Sequence, residues 1–289
     1  MGKIAVAWLL ALCLAAAAHA GPLGTVTIAD GRAHLARGLA VYAPAEGVTV
    51  EEGDLLELED GALLQIELTD GSILSFSARA QALLPAALGG KAGDLKLASG
   101  WCKLSLTTTG EVAALSTAQV RVVGQNAIYV LSAGAEGTQM FVESGELVPV
   151  FTATRAGQPA VLKGGDFVGI SPDAGVSLAR RPPPGFVAAM PKVYLDKLPA
   201  RLSRLKARGV APRRERDAGF SDLDTWVKRY PSARTALLAQ FAPLLKDKGF
   251  VRQLEPALKD YPEWELVVHP KKPHGAKDKA PKAKASETQ

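Results

Sequence analysis

The chain has 289 residues, 47% of them hydrophobic, and a formal net charge of +5. That is enough apolar side chain for a sizeable core in one large domain or two of ordinary size. Its two cysteines are Cys13 and Cys102; Cys13 falls in an expected leader, and the lone remaining thiol excludes an internal disulfide.

Lys3, the uncharged run Ile4 to Ala18 and then Ala18-His19-Ala20 predict a secretory signal peptide over residues 1–20, cut after Ala20. The apolar run is about 15 residues, short of the ~20 of a membrane span; the alternative is a retained anchor. Leu12 stands where a lipid-attachment site needs a small residue ahead of Cys13. The expected location is the periplasm, with release further outward left open. Beyond the leader the charge divides: −8 over 21–175, +8 over 176–269 and +4 over 270–289. An acidic front and a basic back either dock on each other or leave the basic part to an anionic partner.

Residues 21–175 read as strands. Val26 and Ile28, Val48 and Val50, Leu56 and Leu58, then Leu64, Ile66 and Leu68 keep the period of two of half-buried strands. Leu104 and Leu106, Val120 and Val122, Ile128 and Val130, Met140 and Val142, Val148 and Val150, and Phe167 to Ile170 continue it. Asp30-Gly31, Asp60-Gly61 and Asp70-Gly71 punctuate the run, and the last predicts a two-residue type I′ hairpin turn. Pro149 cannot donate to a ladder, so its strand is expected at an edge. About a dozen short strands roughly ten residues apart suggest an all-β roll, sandwich or solenoid.

Arg180-Arg181-Pro182-Pro183-Pro184-Gly185 predicts an extended Pro-rich linker over 176–191. The period then becomes helical. Residues 192–269 are expected to form an α-rich module, with Lys192 to Arg208 partly helical around Pro199. Ser221-Asp222 opens a helix carrying Trp226, Val227 and Tyr230 on one face. Leu237, Leu238, Phe241, Leu244 and Leu245 follow, with Gly249 as a stop. Phe250, Leu254 and Leu258 make the next stripe, and Trp264, Leu266 and Val267 an extended arm after Pro262. The Lys- and Pro-rich tail, 270–289, buries too little to offset ordering entropy and is expected to be disordered.

The order of these marks resembles the FecR domain, a periplasmic module best known from regulators of iron-siderophore uptake. The residues that carry the resemblance are Gly24-Thr25-Val26, Gly53-Asp54, Leu68-Thr69-Asp70-Gly71-Ser72 and Gly100. They continue with Ser116 to Gln125, Gly137-Thr138, Val142 to Glu146, and Lys163-Gly164-Gly165-Asp166. Ala118 and Gln125 depart from the family's usual Pro and Thr. The C-terminal part, with Gly185-Phe186, Met190-Pro191, Asp222, Trp226, Phe241, Phe250 and Tyr261-Pro262-Glu263-Trp264, looks like a module that accompanies some secreted FecR-like proteins. The fold class implied is mainly β: a FecR-like β-roll or solenoid-type sandwich over 21–175, then a small α-helical module and the disordered tail. The sigma-factor regulators of the family carry a cytoplasmic segment and a membrane span where this chain is expected to carry a cleaved signal. Only an extracytoplasmic role, contact with another protein or an envelope ligand, therefore carries over.

No catalytic constellation emerges. His34, between Arg32 and Arg37, is expected as a lone surface histidine, and Cys102 as a buried, inert thiol. Neither His-Glu-x-x-His nor Cys-x-x-Cys occurs, and the acids Glu46, Glu51, Glu52, Asp54, Glu57, Glu59 and Asp60 lack a Gly-centred calcium loop, so a solvated acidic face is expected. No catalytic, cofactor or metal residue is assigned. The function expected is a non-enzymatic periplasmic binding or scaffold protein recognising an envelope protein or anionic envelope polymer. The alternatives are a periplasmic signalling component acting through a membrane-bound regulator and, behind it, a cell-wall or glycan-acting enzyme. Nucleic acid is not an expected partner, since the basic tail lacks interleaved aromatics.

Overall fold

The computed structural model describes residues 21–85, 93–107, 114–152, 161–230 and 240–261, and the single positions 234, 237, 264, 265, 268 and 269. The expected signal peptide and tail lie outside the described residues. The fold is mainly β, with an open sheet and a few C-terminal helices. Among the described residues fifteen strands form one sheet: β1 Pro22–Asp30, β2 Ala33–Arg37, β3 Ala40–Ala43, β4 Thr49–Glu51, β5 Leu55–Leu58, β6 Leu63–Leu68, β7 Ile73–Leu83 and β8 Asp94–Ser105 come first. After them run β9 Ala114–Ser116, β10 Val120–Gly134, β11 Gly137–Phe151, β12 Leu162–Lys163, β13 Phe167–Ser171, β14 Gly175–Ala179 and β15 Arg213–Asp217. The order is β14-β13-β11-β10-β9-β8-β7-β5-β2-β3-β15; β10 also pairs β8 directly, and a branch runs from β7 through β6 and β1 to β4.

The long strands bend at bulges. In β7 the register with β8 slips between Ser77 and Gln81, where Ala78 and Arg79 take positive φ (50° and 58°). In β10 the register with β11 slips between Gln125 and Ile128, with Asn126 at φ 49°. Bulges add bend and twist, and the sheet curls around one core to which Val26, Leu35, Leu64, Ile66, Leu74, Phe76, Leu104, Tyr129, Leu131, Met140 and Val142 all contribute. The Asp70-Gly71 turn differs from the two-residue expectation. Leu68 N–H bonds Ser72 O (2.8 Å) and Gly71 N–H bonds Leu68 O (3.1 Å), so the loop is three residues with only Gly71 at positive φ. The Asp70 carboxylate sets this geometry by accepting from Ser72 N–H (2.8 Å) and Ser72 Oγ (2.9 Å). In β11 the period of two holds but its phase is reversed: Leu147, Pro149 and Phe151 face inward, and Val148 and Val150 are exposed.

Two further clusters cover the outside of the sheet. Ala36, Val41, Leu55, Leu83 and Ala98 meet Phe220, Leu223, Trp226, Val227, Tyr230, Phe241, Phe250 and Leu254. Trp226, Val227 and Tyr230 share the buried face of the helix Ser221–Arg229, as their spacing requires. Adjacent residues such as Leu55 and Leu56 are both buried because that part of the sheet is covered on both faces. The third cluster joins Val130, Phe167, Phe186 and Tyr194.

The Pro-rich segment is therefore packed structure, not an extended linker. It contributes β14 and a helix, Pro184–Ala189, because a proline at the first helical position lacks only an N–H that would be unpaired anyway. Phe186 is buried there, its ring 5.0 Å from Trp101 and 5.1 Å from Phe167. Lys192 to Arg208 holds two 3₁₀ turns, Lys192–Tyr194 and Leu202–Arg204, and no α-helix. Gly249 lies inside a helix, Lys248–Leu254, that starts after Asp247; the Asp247 carboxylate accepts the Phe250 N–H at 2.7 Å, and that cap outweighs the glycine. Trp264 and Glu265 are helical where an extended arm was expected, each N–H bonding the Tyr261 carbonyl. Leu238, Leu266 and Val267 lie outside the described residues.

Candidate functional site

The unusual feature of this sheet is what covers its polar side chains. Gln65 and Glu67 on β6, Ser75 on β7 and Lys103 on β8 are the alternates of core residues, the positions a half-buried strand turns to water. All four are buried. The segment after Pro191 runs across them as a strap. Lys103 Nζ, 1% exposed, donates to Glu143 Oε1 (2.7 Å), Tyr194 O (2.7 Å) and Asp196 O (2.8 Å). Tyr194 Oη donates to Ser75 O (2.8 Å), and Gln65 Nε2 to Pro199 O and Thr27 Oγ1 (both 2.9 Å). Glu67 Oε1 accepts the Arg201 and Leu202 N–H groups (2.5 and 3.0 Å). An irregular segment against a sheet must have its backbone groups paired; here sheet side chains pair them.

The strap and the residues flanking it are rich in cations. Between Arg180 and Arg214 there are ten Lys and Arg against one acid, Asp196. Arg180 pairs with Asp166 (3.0 Å), Arg201 with Glu46 (3.7 Å), Arg213 with Glu215 (3.0 Å) and Arg214 with Asp217. Arg181, Lys192, Lys197, Arg204, Lys206 and Arg208 are exposed and form no salt bridge among the described residues. The C-terminal helices add a surface groove of about 410 Å³ lined by Lys246, Lys248 and Arg252, with Leu245, Val251 and Glu255.

The acidic front is engaged differently from expectation. Asp54 is 1% exposed and lies under Arg37, whose Nε and Nη2 donate to it at 2.7 and 2.6 Å while Nη1 reaches Glu51 at 2.7 Å. Burial raises the Asp54 pKa, while Arg37 and the Glu51 N–H (2.8 Å) pull it back. The face is thus partly an internal ion cluster. His34 is not isolated: Nδ1 is 2.8 Å from Glu215 on β15, and Nε2 is 3.7 Å from Glu59. The cleft beside it, between β2, β5 and the helix Ser221–Arg229, has about 20 Å³, room for about one water. Cys102 is fully buried, and burial pushes its thiol far above the ordinary range. Among the described residues no group of three His, Cys, Asp or Glu could hold a metal ion, and no helix is long and apolar enough to cross a membrane.

One ion pair fastens the helices to the sheet. Arg216 on β15 donates to Asp222 through Nη1 (2.8 Å) and Nη2 (2.6 Å), and Gly219 N–H adds a third bond (2.8 Å). Burial alone would raise the Asp222 pKa, but these bonds outweigh it and hold the carboxyl below its ordinary 3.8. A carboxylate whose folded pKa is depressed stabilises the fold above its unfolded pKa and loses that contribution as pH falls through the folded one. Trp226 is buried in the same helix, so tryptophan emission should shift as acid, below about pH 3.8, loosens the helices. Asp222→Asn should flatten that part of the titration; an unchanged acid profile would rule the clamp out.

No protein-family model matches the chain, and no curated protein matches it. Two crystal structures of a putative anti-sigma factor from Parabacteroides distasonis are similar, at 12% identity and with TM-scores of 0.38 and 0.36. Each match covers 43% of this chain and 58% of that chain, so this chain spans little more than half of its neighbour's length. A likeness at that level assigns no function.

The sequence had singled out His34 and the acids near it. It missed Lys103, Arg37 and the strap. A lysine inside Trp101-Cys102-Lys103-Leu104 was one available signal; the density of cations after Arg180 was the other.

Proposed function

We propose that the protein is a non-enzymatic, FecR-like binding or scaffold protein of the periplasm that holds an anionic polymer of the envelope. The observation that carries this reading is the strap together with the residues that flank it: ten cations against one acid across residues 180–214, with six of the cations exposed and outside any salt bridge among the described residues. Fixed backbone beneath long cationic side chains suits a flexible polyanion, because only the side chains and the ligand lose freedom on binding. The FecR resemblance and the leader-like first twenty residues support the location and the non-enzymatic role.

Retention on an immobilised sulfated polysaccharide, developed with a salt gradient, tests it. The triple variant Arg204→Glu, Lys206→Glu, Arg208→Glu removes exposed charges and no salt bridge among the described residues. At roughly 1 kcal/mol per cation near an anionic surface, it should bind at least about 100-fold more weakly at low salt, and the difference should shrink at high salt as screening sets in. Wild-type protein that flows through at low ionic strength would overturn the reading.

A further inference from the structure

The helix Pro184–Ala189 is unusual for a helix at the surface. None of its side chains is polar, yet only Phe186 is buried; Val187, Ala188 and Ala189 are exposed. A surface helix ordinarily turns charged and polar residues to water. The 3₁₀ turn Lys192–Tyr194 repeats the arrangement, with Tyr194 buried, Val193 exposed, and Leu195 exposed just beyond. Phe186 and Tyr194 anchor both pieces in one cluster with Val130 and Phe167. Eight large apolar side chains are exposed among the described residues, and three of them fall within nine consecutive positions: Val187 at 40%, Val193 at 47% and Leu195 at 62%, the most exposed of the eight. Single exposed apolar side chains need no explanation, but a concentration of them marks a contact surface. Cations accompany it. Arg181 precedes the helix, Lys192 opens the turn and Lys197 follows it, all exposed and outside any salt bridge among the described residues. The one acid between them is Asp196.

We propose that residues 181–197 seat the protein on an anionic lipid bilayer, with Val187, Val193 and Leu195 entering the headgroup layer and Arg181, Lys192 and Lys197 pairing with lipid phosphates. Two observations select this occupant. The exposed apolar side chains are aliphatic, and both rings of the segment, Phe186 and Tyr194, are turned inward, whereas a protein interface draws on aromatic anchors. The charge beside them is positive, and a lysine or arginine stem lies along apolar surface while its head stays with the phosphates. A soluble polyanion would pair with these cations and leave the aliphatic side chains in water. An anionic bilayer offers both chemistries at its surface. Three short side chains make a reversible attachment and no span. The proposal shares the cationic segment with the polymer reading and does not depend on it.

Residues 21–289 hold every described contact and lack the apolar run 4–18, which would itself bind vesicles. Cosedimented at low salt, that protein should bind vesicles of phosphatidylcholine with phosphatidylglycerol, and bind phosphatidylcholine alone far more weakly. The triple variant Val187→Ser, Val193→Ser, Leu195→Ser should bind the anionic vesicles about 30-fold more weakly. It should keep the wild type's retention on the sulfated polysaccharide, so the proposal and the polymer reading fail separately. Lys192→Glu with Lys197→Glu should lose at least about 100-fold on the anionic vesicles, with circular dichroism confirming that each variant is folded. Wild-type protein that stays in the supernatant with anionic vesicles overturns the proposal, as does equal binding to both kinds of vesicle. So does a folded serine variant that binds like the wild type, which would reduce the contact to charge alone. Self-association that the serine substitutions abolish, without vesicle binding, would give the surface to a second copy and overturn it as well.

Discussion

Lys103→Met should destabilise the protein by about 3–5 kcal/mol, because removing one partner of a buried ion pair leaves the other charge uncompensated. The loss extends beyond Glu143. Lys103 Nζ also satisfies the Tyr194 and Asp196 carbonyls, so the variant strands two backbone acceptors at the start of the strap. The expected signature has two parts: a lower urea midpoint, and tryptic cleavage at Lys197, Arg201 or Arg204 under conditions where the wild type resists. Lys103→Met combined with Glu143→Leu should regain part of the stability, since the orphaned carboxylate is gone, yet leave the strap open to trypsin. A single variant as stable and as protected as the wild type would show that Lys103 does not hold the strap. The belt of cations would then lack its fixed backbone.

Gly100→Ala should cost about 2–5 kcal/mol, combining backbone strain with overpacking. Gly100 has φ +85°, and a Cβ there would lie 2.4 Å from Ala80 Cα, 2.5 Å from Ala80 N and 2.8 Å from the Arg79 carbonyl carbon. Those atoms are the backbone of the β7 bulge, so no flexible side chain can yield. Gly61→Ala isolates the strain: its φ is +73°, with nothing within 4 Å of the added carbon. It should cost about 1 kcal/mol. Equal urea midpoints for the two variants would mean that the close approach of β8 to the bulge contributes nothing to the curl of the sheet.

Some of this architecture was readable in advance and some was not, for identifiable reasons. Leu64, Ile66 and Leu68 announced their strand because a period of two is local, and Trp226, Val227 and Tyr230 announced a helix face by the same kind of argument. Val148 and Val150 kept the period and took the wrong face, since alternation alone does not say which face is covered. Asp247 displaced Gly249 as a helix boundary through a side-chain bond three residues long, a signal present in the sequence and outranked there by the glycine. β15 gave no apolar pattern at all, because an edge strand of five charged residues buries nothing. The cations of the strap were countable, but a count of charge does not place it.

By itself the sequence determined a mainly β chain with helices after Gly219 and an acidic part ahead of a basic one, because periodicity, turn residues and charge act over a few neighbours or simply add. Tertiary structure alone decided that Gln65, Glu67 and Lys103, on the face opposite the core, are buried beneath a strap. Their partners lie 134 residues away at Pro199 and Arg201, and 91 at Tyr194. It also decided that Asp54 is sealed under Arg37 and that Leu178 is left uncovered at the last strand. Whether a polar alternate meets water or a distant backbone depends on what the fold lays over it, and no pattern spanning a few residues carries that information.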